Sequence, residues 1–200
     1  MQVVADATEA QMVSLFLASE LHSVRWRDPL LSVLAAAGAS TDLIESPDTS
    51  SAEENRVRAA VLARYRGYRE DRELFEGYPA EVRWFRAELD AEDIVRLKYI
   101  DYSYWNELSR GTRRPADAAA TIRDGTEIFD VPNDQYFDGL RIIRDGGTFP
   151  PLILVSSSEE CDLVILEGHG RATVYALAGG EINGPVKAMV GLHDAFRAWL

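Results

Sequence analysis

Five consecutive residues, Glu167-Gly168-His169-Gly170-Arg171, hold the densest chemistry in the sequence. An apolar run, 163–166, precedes them, and residues 171–178 have the composition of a helix, stopped by Gly179-Gly180. This predicts a strand, a turn and a helix in succession. Two glycines in such a turn permit tight backbone geometry and the close approach of a ligand. The first amides of the helix lack intrahelical acceptors and lie at the positive end of its dipole, so an anion placed there receives several N–H bonds at once. Arg171 adds a permanent, bidentate-capable charge, and His169 adds a donor that titrates near neutrality. An arginine in the first turn of a helix opposes the dipole, and an intervening anion relieves that conflict. The chemistry predicted is phosphate binding. The plain alternative is a strand-to-helix turn with two permissive glycines and an exposed arginine.

Other residues suit such a site. Arg110, Arg113 and Arg114 share a short loop with Ser109 and Thr112, and Arg113 is taken as a second phosphate donor. Tyr99, Tyr102, Tyr104 and Trp105 precede that loop. Tyr102 is the candidate to stack a base or line a substrate pocket, whereas packing is the expectation for Tyr99 and Trp105. A phosphotransferase needs a carboxylate to take the hydroxyl proton, and Mg²⁺ takes oxygen ligands. Glu167 and His169 are the catalytic candidates, with Glu127 and Asp130 as further carboxylates. For any single carboxylate, ordinary surface exposure is the competing expectation. His22, His193 and Cys161 form no metal-ligand spacing.

The elements that must position these residues fall into two textures. Thr8 predicts a helix start, and 30–37 reads as a short apolar helix closed by Gly38. Segment 40–51 reads as a polar loop, and Ser51 caps a helix to about residue 65. The arginine- and carboxylate-rich stretch 64–78 reads as a solvated face with mixed ion pairs. Segment 81–89 alternates as a strand, Asp90 looks like an N-cap, and Pro115 opens a helix to Arg123. Beyond it the spacing predicts a strand over 127–131, a helix from Pro132-Asn133 to Gly146-Gly147, and strands over 151–156, 163–166 and 186–190. A break at Gly191 and an amphipathic segment, 195–200, complete the chain. Strands as apolar as 151–156 and 163–166 are covered on both faces. The expected class is α+β: an N-terminal mainly helical region, residues 1–121, packing on a small α/β core, residues 122–200.

Composition narrows the function. The chain has 200 residues, 46% of them hydrophobic, enough for a true core. Residues 1–121 carry 15 Lys+Arg against 21 Asp+Glu, and residues 122–200 carry 6 against 12, so the net charge of −12 is shared equally. Such acidity weighs against DNA or RNA as a partner but leaves a nucleotide or small-molecule substrate open. No apolar stretch is long enough to span a bilayer, and the first ten residues lack the basic start of a signal peptide. A single cysteine excludes an internal disulfide. The expectation is a cytoplasmic protein that does not engage membranes.

The order of elements in 126–190, with Gly147-Thr148-Phe149-Pro150-Pro151 before one strand and Gly168-His169-Gly170-Arg171 after the next, resembles the ParB amino-terminal/sulfiredoxin superfamily. Its turn is nearest to that of free serine kinase-like members. The resemblance implies a ParB/sulfiredoxin-like core and a turn that binds the phosphates of ATP, ADP or CTP with Mg²⁺. Gly168, His169, Gly170 and Arg171 would be the binding residues. The implied activity is nucleotide-dependent phosphoryl transfer to a hydroxyl-bearing substrate, or nucleotide hydrolysis. Gly170 stands where the family carries His or Arg, and no cysteine occupies the sulfiredoxin catalytic position. A basic DNA-reading domain of the partition-protein kind is not expected. Gly170 and the absence of a dedicated catalytic signature favour the alternative, a non-catalytic regulatory or protein-interaction module that keeps the fold.

Overall fold

A computed structural model describes all residues, 1–200. Its elements in chain order are β1 (Gln2–Ala7), α1 (Glu9–Leu21), α2 (Arg27–Ala36), α3 (Asp42–Glu45), α4 (Ala52–Arg66), β2 (Arg83–Leu89), α5 (Ala91–Val95) and β3 (Leu97–Lys98). They continue with α6 (Ser103–Leu108), α7 (Pro115–Arg123), α8 (Asp134–Arg144), β4 (Leu152–Ser156), β5 (Leu163–Glu167), α9 (His169–Ala178) and β6 (Val186–Leu192). Short 3₁₀ turns occur at Glu73–Phe75, Gly179–Glu181 and Asp194–Trp199. The class is α+β.

Two compact units emerge, residues 7–84 and residues 1–6 with 85–200. The boundary expected between residues 121 and 122 falls inside α7, which packs on α9 within the larger unit.

The smaller unit is helical. Thr8 caps α1 through a reciprocal box with Gln11, and Ser51 accepts from the amide of Glu54 at the start of α4. Met12, Phe16, Leu17, Leu62 and Phe75 are fully buried. So is Arg58. Its Nη1 donates to Leu43 O (3.0 Å) and Glu54 Oε2 (2.8 Å), and its Nη2 donates to Asp48 O (2.7 Å) and Asn55 Oδ1 (2.6 Å). The polar loop 40–51 contains α3 and is held in place by this side chain. In 64–78 the mixed ion pairs are present, Arg69 with Glu9 and Arg72 with Glu70. Tyr68 and Phe75 of the same stretch are nevertheless buried and meet edge to face at 5.2 Å.

The larger unit is built on a six-stranded mixed sheet, ordered β1-β2-β6-β4-β5-β3. β4 runs parallel to β6 and antiparallel to β5, and β3 is parallel to β5. Leu152, Leu154, Leu163, Ile165, Ala188 and Val190 point into one core with α7, α8 and α9. Ile153, Val155, Val164 and Leu166 alternate to the opposite face and are also buried, as their unbroken apolar character requires. α8 and α9 approach closely because residue 139 is glycine: a Cβ there would lie 2.6 Å from Val174 Cγ2.

Three local expectations are corrected. Segment 127–131 is no strand but a tight turn closed by one bridge, Ile128 to Val131, because Phe129 and Asp130 are left-handed (φ 53° and 57°). Gly191 does not break β6, since it pairs in register with Val155 and the strand continues to Leu192. The helix after the site begins at His169, two residues before Arg171. Strands β1 and β3 carried no usable sequence signal, being exposed and two residues long respectively.

Replacing Gly139 with Val forces side-chain atoms into Val174 with no room to yield. We expect a loss of about 2–3 kcal/mol, read as a lower denaturation midpoint in urea with an unchanged slope.

Candidate functional site

The site grows from the end of β5. Glu167 closes the strand, and Gly168 turns the chain with φ 101°. Only glycine fits there: besides the positive φ, an added Cβ would lie 2.7 Å from Leu152 Cδ2 and 3.1 Å from Arg171 Nη2. Gly168 is also the N-cap of α9, with no side chain to satisfy the helix amides. The first helical bond runs from Ala172 N to Gly168 O (2.8 Å), so the amides of residues 169–171 lie before the intrahelical ladder. Gly170 is the second helical residue. A Cβ built on it meets no atom within 4 Å, which leaves the approach to this helix end open.

Arg171 does not reach into that space. Its Nη1 donates to Pro150 O (2.8 Å) and Pro151 O (3.0 Å), and its Nη2 pairs with the Glu167 carboxylate. Both side chains are largely covered, at 16% and 18% exposure. The conflict between an arginine and a helix N-terminus is thus answered from inside the protein. Two carbonyls and a carboxylate stand where an anion was expected.

His169 lies against aromatic rings. Its imidazole stacks on Trp105 (centroids 5.3 Å apart, planes 15° apart) and on Tyr99 (6.0 Å, 17°), while Tyr99 and Trp105 stack on each other at 4.6 Å. The Tyr99 hydroxyl bonds Thr173 Oγ1 (2.6 Å), which donates to His169 O (2.8 Å). Burial pushes the Tyr99 phenol well above its ordinary pKa, so it remains a protonated donor. Tyr104 meets Trp105 edge-on at 4.8 Å and bonds the Tyr136 hydroxyl. Tyr99 and Trp105 pack as expected, and they also fix the histidine. The missed participant is Thr173, whose only signal was its place four residues after His169.

The remaining candidates lie outside this constellation. Tyr102 is 45% exposed at the start of α6, and its ring joins no stack. Arg113 is engaged elsewhere, donating from Nε to Tyr99 O (3.0 Å) and from Nη2 to Trp199 O. Arg110 pairs with Asp124, and Arg114 with Asp162 and Arg96 O. Burial alone would raise the Asp162 carboxyl. The Arg114 hydrogen bond and the charges of Arg114 and Lys98 outweigh it and hold the group below its ordinary value. No three His, Cys, Asp or Glu side chains cluster to hold a metal ion. An all-protein cage for Mg²⁺ is therefore not formed, whereas one or two carboxylates with a ligand's phosphates would need no such cluster. Glu127 and Asp130 are exposed in the turn 127–131.

The chain matches no protein-family model, no curated protein and no solved structure. The functional reading rests on its own residues.

Arg171→Met leaves the carbonyls of Pro150 and Pro151 without that donor and Glu167 without its cation. We expect a loss of about 2–4 kcal/mol in urea denaturation. Arg171→Lys should recover little of it, because one ammonium cannot reproduce a planar fork across three acceptors.

Proposed function

We propose that this chain binds the phosphates of a nucleotide at the start of α9, as the ParB/sulfiredoxin-like proteins it resembles would, and acts by binding rather than by phosphoryl transfer. One observation carries the reading. Gly168 and Gly170 strip side chains from the first turn of α9, and the space over Gly170 is open. Backbone amides at a helix N-terminus hold a phosphate without any side-chain donor. The His169–Trp105 stack adjoins that turn and offers an aromatic margin to a base.

Binding without transfer is favoured by where the candidate groups are engaged. Glu167, the first choice for a general base, is paired with Arg171. Removing a proton from a substrate hydroxyl would require that pair to break. Arg113 is occupied by two backbone carbonyls, so no arginine is assigned to stabilise a transferring phosphoryl group.

Millimolar ATP, ADP or CTP should raise Tm, since a ligand at 100 times its Kd stabilises the folded state by about 2.7 kcal/mol. Gly170→Asp is the sharpest control. It puts a carboxylate where the phosphate would lie, in an unstrained position that helices favour for acidic residues. The variant should fold as stably as the parent and lose the shift. A nucleotide response retained in Gly170→Asp, or none in the parent, overturns the reading. Nucleotide-dependent release of phosphate or a phosphorylated product would instead establish an enzyme.

A further inference from the structure

The turn 127–131 is built against its own backbone preference. Phe129 and Asp130 are both left-handed, as in a type I′ turn, whose central positions ordinarily take Asn, Asp or Gly. A bulky side chain in that region is strained. Burial does not compensate, because the Phe129 ring is 61% exposed. Nor is the turn loosely held. Ile128 packs on the main core and bridges Val131, whose amide donates to Ile128 O (3.1 Å). Buried Asn133 donates from Nδ2 to Thr126 O (2.9 Å). A rigid mount thus holds a phenyl ring in water, and a second exposed ring, Phe137, follows in the first turn of α8.

The stretch that carries these rings is acidic. From Asp124 to Asp138 the sequence has five acidic residues and no Lys or Arg. Asp124 is paired with Arg110 and Asp138 with Arg141. Glu127, Asp130 and Asp134 are exposed and form no salt bridge. We infer that the turn 127–131 and the start of α8 form a docking surface for a basic amphipathic protein segment, one that receives Phe129 among apolar side chains and meets the three carboxylates with Lys or Arg. Charge selects this partner. The same carboxylates repel an anionic lipid surface or a nucleic acid, and a second copy of the chain would set acids against acids. A preorganised aromatic anchor inside a polar rim is the arrangement that gives small interfaces their affinity. This inference is independent of the anion site at α9.

The probe is a fluorescent amphipathic helix of Lys and Leu, about five turns long, titrated into the full chain and followed by anisotropy. We expect saturable binding that weakens with salt and is absent for the matching Glu/Leu peptide. Phe129→Asn should weaken binding about tenfold or more while raising Tm, because asparagine tolerates the left-handed region. A combined Glu127→Gln, Asp130→Asn, Asp134→Asn variant should keep its fold and lose most of the binding and its salt dependence. The inference is overturned if the Lys/Leu peptide does not bind, if the Glu/Leu peptide binds equally, if Phe129→Asn binds like the parent, or if its Tm falls. It is also overturned, in favour of self-association, by a dimer in sedimentation that Phe129→Asn abolishes.

Discussion

The Arg171 guanidinium ties the first turn of α9 to the two strands of one antiparallel pair. Pro150 and Pro151 offer carbonyls just before β4, Glu167 ends β5, and the arginine itself belongs to the first turn of α9. β4 and β5 are antiparallel neighbours, so the start of one strand and the end of the other lie at the same edge. A planar side chain with five donors suits that corner in a way a single ammonium does not. The requirement for glycine at position 168 follows from the same packing, since a Cβ there would enter the space of Leu152 and of the guanidinium itself. With the corner fixed, α9 starts with three amides ahead of its first helical bond, and a Cβ at Gly170 would meet no atom within 4 Å. His169 is turned onto Trp105 and Tyr99.

The helical unit solves an equivalent problem with Arg58. A loop without a β-ladder leaves carbonyls that need donors, and Leu43 and Asp48 find them in one fully buried guanidinium that also meets Glu54 and Asn55. Each unit thus has an arginine that serves as an internal hydrogen-bond donor to backbone rather than as a surface charge. The consequence for chemistry is direct. Arg58, Arg113, Arg114 and Arg171 all donate to backbone carbonyls of this chain. None of these four guanidiniums is held apart from the fold.

The acidic side chains have the opposite fate. Many stay on the surface, and with a net charge of −12 the exterior is shaped to repel polyanions and to attract cationic groups. A small anion bound by amides at one helix end is compatible with that exterior, because its recognition is local and made of dipoles. Exposed apolar rings among unpaired carboxylates are compatible with it as well, provided the partner carries positive charge.

Much of the local structure was legible in residue order alone. Thr8, Ser51, Asp90 and Pro115 mark helix starts through caps and fixed φ, effects that act within one turn of chain. The apolar runs in β4 and β5 announced strands buried on both faces, and Gly168 announced the turn between β5 and α9. The turn at 127–131 was misread because its apolar residues mimic a strand, while its left-handed backbone goes against the preference of phenylalanine. The fate of each arginine was not legible either. Sequence specifies a cation at 113 or 171 but not whether backbone carbonyls distant in the chain will fold against it. Local propensity, capping and burial pattern therefore determined the elements and the place of the candidate site. Only the tertiary structure decided that Arg171 braces the turn instead of facing a ligand and that His169 is held by Trp105. The backbone carbonyls that hold Arg171 and the rings that hold His169 lie 20 or more residues away along the chain.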